Sequence, residues 1–78
     1  MKLTILSLKG KEFEGSIKAF NVKTQSGEIT VLDNHLPIVT LLKKGTAVIT
    51  KSDGSKENFQ INSGFLELSE NNLSVLVD

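Results

Sequence analysis

Apolar and polar side chains alternate along this sequence more often than they recur at helical spacing. Ile29 and Val31, Ala47 and Ile49, Phe59 and Ile61, and Leu73, Val75 and Val77 follow one another at every second position, which puts each set on one face of a β-strand. The segments KLTILSL, SIKAFNVKT, EITVL, PIVTLL, TAVIT, ENFQI, FLEL and NLSVLV are divided by turn signals at Lys9-Gly10, Gln25-Ser26-Gly27, Asp33-Asn34, Lys43-Lys44-Gly45, Ser52-Asp53-Gly54, Asn62-Ser63-Gly64 and Glu70-Asn71-Asn72. Short strands at such regular intervals predict an all-β sandwich or barrel. The parity slips between Ile5 and Leu6 and again between Ala19 and Phe20, as expected at a β-bulge or where a strand bends from one sheet to another. Asp53-Gly54 should supply the positive-φ residues of a tight hairpin, pairing Thr46–Lys51 with Lys56–Ile61 antiparallel.

Composition narrows the function more than the fold. A chain of 78 residues makes one domain, near the lower limit for folding without staples. It has no cysteine, which excludes a disulfide framework and thiolate metal sites and makes a reducing compartment the default. The opening MKLTILSLKG is broken by polar residues and reads as a strand, not a signal peptide. No apolar run is long enough to span a bilayer, so any membrane association should be indirect, through a partner. Nine basic and nine acidic side chains cancel, and tryptophan and tyrosine are missing; a nucleic-acid module of this size would need a positive groove and stacking aromatics.

Candidate chemistry gathers around the one histidine, His35, two residues before the one proline, Pro37. Asp33 and His35 invite comparison with a hydrolase, with Ser16 or Ser26 as nucleophile, but no nucleophile elbow accompanies them. Glu28, Asp33 and His35 are metal-ligating residue types at a spacing that matches no established zinc pattern. Gly45 to Ser52 imitates the ends of a phosphate-binding loop, yet Ala47-Val48-Ile49 between them is strand-like and no helix is predicted to follow. The plain account is a turn, with Asp33 and Asn34 tolerating tight dihedrals, Pro37 fixing the exit and His35 exposed. Contact with a partner is the functional alternative, since binding residues concentrate on loops held by rigid scaffolds.

Three blocks in order resemble the N-terminal β-sandwich domain of the epsilon subunit of bacterial rotary F-type ATP synthase. They are the opening KLTILSLKGKEFEG, then GEITVLDNHLPIVTLLKKG beside the family's GE-x-x-VLPNHAP-x-x-T-x-L-x-x-G, and finally NSGFLELSENNLSVLVD beside SGGFLEV-x-x-N-x-VTVLAD. The resemblance spans essentially the whole chain. It departs at Asp33, where proline is usual, at Leu36, where alanine is usual, and at Ser63, where the first glycine of a pair is usual.

The resemblance implies a flattened two-layer antiparallel β-sandwich of about eight to ten short strands, forming a single domain over residues 1–78. It implies a non-catalytic rotor subunit of the central stalk, without a cofactor, that joins the gamma subunit to the c-ring and supports proton-coupled ATP synthesis. The family's ring-facing acid and histidine fall on Glu28 and His35, and its gamma contacts on Ser7 and Val39. The expected location is peripheral, on the cytoplasmic face of the bacterial plasma membrane. Family members commonly continue into a two-helix arm that can restrain ATP hydrolysis; this sequence stops at Asp78, and coupling without inhibition by that arm is the expectation. The alternative is an unrelated β-sandwich carrier of the lipoyl or biotinyl type, which would present Lys51 or Lys56 at the hairpin beside Asp53-Gly54.

Overall fold

The computed structural model describes residues 1–78, and every regular element in it is a strand. The strands are β1 (Lys2–Ser7), β2 (Gly10–Thr24), β3 (Gly27–Leu32), β4 (Ile38–Leu42), β5 (Gly45–Lys51), β6 (Lys56–Ile61), β7 (Gly64–Ser69) and β8 (Asn72–Val77). They form one eight-stranded hydrogen-bonded sheet in the order β1-β8-β7-β4-β2-β5-β6, with β3 also on β2 and β1 also on β2. The sheet folds over on itself at β2. One layer is β6-β5-β2-β3 and the other is β2-β1-β8-β7-β4.

β2 makes this possible because its 15 residues serve both layers. Its first part pairs with β1, from Lys2↔Ser16 to Ser7↔Gly10. Its second part lies between β5, from Ile17↔Lys51 to Asn21↔Val48, and β3, from Ala19↔Leu32 to Thr24↔Gly27. A single pairing, Thr24↔Leu42, brings β4 against its end and closes the second layer.

The alternating residues converge between the layers. Fourteen buried apolar residues form one cluster, among them Leu3 and Ile5 of β1, Phe20 and Val22 of β2, Ile49 of β5, Leu66 of β7 and Val75 of β8. No buried side-chain nitrogen or oxygen lacks a hydrogen-bond partner. Thr24, the one buried polar residue, donates its hydroxyl to the Gly27 carbonyl at 2.6 Å and accepts from the Ser26 amide at 3.1 Å. Its side chain therefore satisfies itself within the β2–β3 turn and stiffens that turn.

Several details differ from the sequence-based expectation. The strands are not all short, because β2 begins at Gly10, whereas the alternation pattern marked a strand only from Ser16. Lys11, Glu12 and Glu14 point outward there and only Phe13 packs toward the core, so this edge carries charge rather than an alternating apolar signal, as exposed edges do. The pairing is not wholly antiparallel, since β1 and β8 run parallel from Lys2↔Asn72 to Leu6↔Leu76. The slip at Ile5/Leu6 is a register shift against β2, as the parity predicted, while the shift inside β2 falls between Ile17 and Ala19, just before the predicted place.

The β5–β6 hairpin pairs as expected, but of Asp53 and Gly54 only Gly54 has positive φ, at 91°. The Gly54 amide donates to the Lys51 carbonyl at 2.9 Å and the Lys51 amide to the Ser55 carbonyl at 2.8 Å, the longer turn that ends in a left-handed glycine. Asp53 accepts from the Ser55 hydroxyl at 2.6 Å and amide at 2.9 Å, and those bonds hold its carboxyl below the usual range.

Candidate functional site

Two exposed regions stand out, one on each layer. The first is β3 with its flanking turns. β3 pairs only with β2 and so leaves its other edge open. Glu28 is its second residue, and the pleat places Glu28, Thr30 and Leu32 on the outward face opposite Lys23, Asn21 and Ala19. Asn21 donates its side-chain amide both to Glu28 Oε2, at 3.1 Å, and to the Thr30 hydroxyl, at 2.9 Å.

The register sets Lys23 directly opposite Glu28, yet the four ion pairs of the molecule do not include this one. Lys23 runs instead across Gly45, where a Cβ would stand 2.8 Å from its Cδ. With no side chain at Gly45 to lift it, the lysine stem lies flat and Glu28 keeps its second oxygen uncommitted. An exposed carboxylate held on one oxygen by a neutral amide is suited to accept charge-assisted bonds from a partner.

His35 lies just past the other end of β3, on the exposed loop to β4. Its amide donates to the Leu32 carbonyl at 3.2 Å, and its ring Nδ1 is 2.7 Å from the Leu36 carbonyl. A carbonyl can only accept, so Nδ1 carries the proton. The neutral ring then offers Nε2 outward as an acceptor, and the protonated ring offers it as a donor. Glu28 and His35 are thus both exposed but sit near opposite ends of one strand.

The other chemistries considered for this loop do not assemble. Asp33 pairs with the Met1 amino group at 2.5 Å, so it does not orient His35. No three or more of the histidine and carboxylate side chains converge on a point that could hold a metal ion. Lys51 is paired with Glu57 at 2.9 Å, and the hydrogen bond and negative charge of that carboxylate raise its pKa; the hairpin tip between β5 and β6 consists of Ser52, Asp53, Gly54 and Ser55. A carrier domain needs an available lysine at that tip, and neither Lys51 nor Lys56 occupies it. Gly45 to Lys51 is β5, an ordinary strand.

The second region covers the outer face of the other layer. The registers Leu6↔Leu76, Phe65↔Leu76 and Leu41↔Phe65 line four apolar side chains in a row across β1, β8, β7 and β4. All four are exposed, Leu41 at 58%, and Leu8 extends the row into the β1–β2 turn. An open groove of about 550 Å³ runs along it, lined in part by Leu8, Leu41, Phe65 and Leu76.

Ser7 and Val39 flank this row on opposite sides. Ser7 ends β1 beside Leu6, where its hydroxyl donates to Glu12 at 2.6 Å and accepts from the Lys9 amide at 3.1 Å. Val39, 62% exposed, shares the outer face of β4 with Leu41. Ser7 and Val39 lie on the two outer strands of the four, one beyond and the other before the row along the strand direction. Within the apolar stretch Leu36-Pro37-Ile38-Val39, Ile38 packs against the core and Leu36 and Val39 are exposed.

Sequence reasoning missed Leu6, Leu41, Phe65 and Leu76. For Leu41 a signal was present in β4, whose IVTLL is apolar on both parities, with Ile38 and Leu42 turned inward and Val39 and Leu41 outward. A strand apolar on both faces is expected where both faces become covered.

Residues 1–78 match the family described as ATP synthase, Delta/Epsilon chain, beta-sandwich domain. Among solved structures, a chain of the Euglena gracilis mitochondrial ATP synthase assembly of OSCP, F1 and c-ring superposes with a TM-score of 0.90 at 22% identity, covering 96% of this chain and 48% of that one. A chain of the Tetrahymena thermophila mitochondrial ATP synthase central stalk and c-ring superposes with a TM-score of 0.79 at 15% identity, covering 99% of this chain and 62% of that one. At those identities the likeness is one of fold. The chain spans about half to three-fifths of the length of these two structural neighbours.

Proposed function

The chain belongs to the family of ATP synthase delta and epsilon chain β-sandwich domains, and we propose that it acts as a non-catalytic rotor subunit of the central stalk, joining a gamma shaft to a c-ring. It contributes no reacting group of its own. It supports proton-coupled ATP synthesis by keeping shaft and ring in register. Residues 1–78 act in this role as a single β-sandwich domain.

The observation that carries this proposal is the exposed apolar row Leu6-Leu76-Phe65-Leu41, which crosses four neighbouring strands on one outer face, flanked by Ser7 and Val39. Interface centres are depleted of charge and rich in such side chains. In the proposed assembly the gamma shaft covers the row. A stable joint needs at least about 1,000 Å² of total buried surface, and a row crossing four strands provides a suitable centre for it.

Glu28 and His35 lie on the opposite layer and its connecting loop, and meet the c-ring. Shaft and ring therefore grip different sides of the sandwich. No helix of the chain is long and apolar enough to cross a membrane; attachment is peripheral, through the ring, at the cytoplasmic face of a bacterial plasma membrane.

Tagged and expressed in its native membrane, the chain should bring down gamma and c subunits together. Recovery of neither would overturn the proposal. Glu28→Lys should reduce ATP-driven proton pumping by reconstituted enzyme about tenfold, because reversing the charge removes a charge-assisted bond and adds repulsion. His35→Ala removes only one neutral contact and should reduce pumping less. Equal pumping by the two variants would remove Glu28 from the set of ring contacts.

A further inference from the structure

We propose that Asn71, on the hairpin between β7 and β8, is a positioning residue for the His35 loop. The side-chain oxygen of Asn71 accepts the backbone amide of Asn34 at 3.0 Å, across 37 positions of sequence. Its own carbonyl accepts the Lys2 amide at 3.2 Å. Asn71 is thus bonded on one side to the start of β1 and on the other to the turn that carries His35.

The backbone explains why a side chain at this place needs a reason. Ser69 pairs with Asn72, leaving Glu70 and Asn71 as a two-residue turn with φ of 51° and 63°. Both residues are left-handed, and glycine is the residue such a turn favours at its second position. Asparagine tolerates the conformation less well than glycine but adds an acceptor. Asn34 is also left-handed, at 62°, and its amide donates to no backbone carbonyl, whereas the next amide, that of His35, donates to Leu32. The Asn71 side chain supplies the acceptor for Asn34. The two turns are clasped, and the backbone leading into His35 is fixed from outside the loop.

The functional consequence rests on the proposed ring contact of His35. A loop that samples several shapes binds more weakly in proportion to the fraction of time spent in the competent one. The clasp raises that fraction without touching the ring itself.

The test uses the full chain and two variants. Asn71→Gly keeps the left-handed turn and removes the acceptor, so misfolding is not the expected outcome; Asn71→Asp keeps both turn and acceptor oxygen. In Asn71→Gly the Asn34 amide should exchange with solvent at least about tenfold faster, with the thermal midpoint unchanged or raised, while Asn71→Asp retains protection. Binding to purified c-ring should weaken about threefold in Asn71→Gly and recover in Asn71→Asp. Unchanged Asn34 exchange in Asn71→Gly overturns the clasp, whatever happens to binding. Faster exchange in Asn71→Gly with unaltered ring affinity supports the clasp and counts instead against His35 as a ring contact.

Discussion

Leu41→Glu should weaken association with the gamma subunit at least about thirtyfold, the equivalent of about 2 kcal/mol, while leaving the free chain folded. Leu41 is already 58% exposed, so a carboxylate there stays in water until the partner arrives. Docking then forces a charge into the apolar centre of the joint, between Val39 and Phe65. Burying an unpaired ion costs several kcal/mol, far more than the lost methyl contacts alone. Leu41→Ala, which removes contacts without adding charge, should have a visibly smaller effect. Titration of gamma with the two variants, beside a circular dichroism melt of each, separates binding from folding. Wild-type affinity in Leu41→Glu would mean that the shaft binds elsewhere.

Gly64→Ala should destabilise the fold by about 2–3 kcal/mol, the upper part of the range for overpacking. A Cβ at this position would stand 2.5 Å from the Leu76 carbonyl oxygen and 3.3 Å from a Val77 methyl. The nearer obstruction is backbone and cannot rotate aside, so β7 and β8 must separate where Gly64 pairs with Val77. For a chain of this length the total stability is about 4–12 kcal/mol, and the loss is a large share of it. A denaturant melt measures the change. Because Phe65 and Leu76 belong to the apolar row, the separation should also weaken gamma binding. An unchanged melt would show that the two strands have slack at this corner.

The glycine at position 64 also illustrates what a sequence conceals. Asn62-Ser63-Gly64 reads as a turn because of its residue types, but the demand for glycine arises from the close approach of Leu76, known only once β7 and β8 are paired. Ser63, which departs from the usual family glycine, has no positive φ and sits where a side chain is tolerated. The strands themselves were legible wherever one face is buried and the other wet, as in Leu73, Val75 and Val77. They were illegible at Gly10–Ser16, where a charged edge strand carries almost no buried side chain, and in the parallel pairing of β1 with β8, which depends on the chain's two ends meeting.

Candidate functional residues divide in the same way. Glu28 and His35 are unremarkable as single residues and were singled out by resemblance to a family. Their immediate surroundings came from the structure: Asn21 on Glu28, and the Leu36 carbonyl that leaves Nε2 of His35 facing outward. The row Leu6-Leu76-Phe65-Leu41 draws one residue from each of four strands, so it exists only as a product of register. No window along the chain contains it.

β2 runs continuously through both layers, and this bears on how the molecule withstands sideways force. If ring and shaft pull on opposite faces, the two layers are driven to slide past each other, and in an ordinary sandwich only side-chain contacts resist that slip. Here a single length of backbone is woven into both faces, so sliding must also break its hydrogen bonds or strain its peptide geometry. Slip becomes coupled to unravelling, and the coupling raises the force the wedge can bear before it yields.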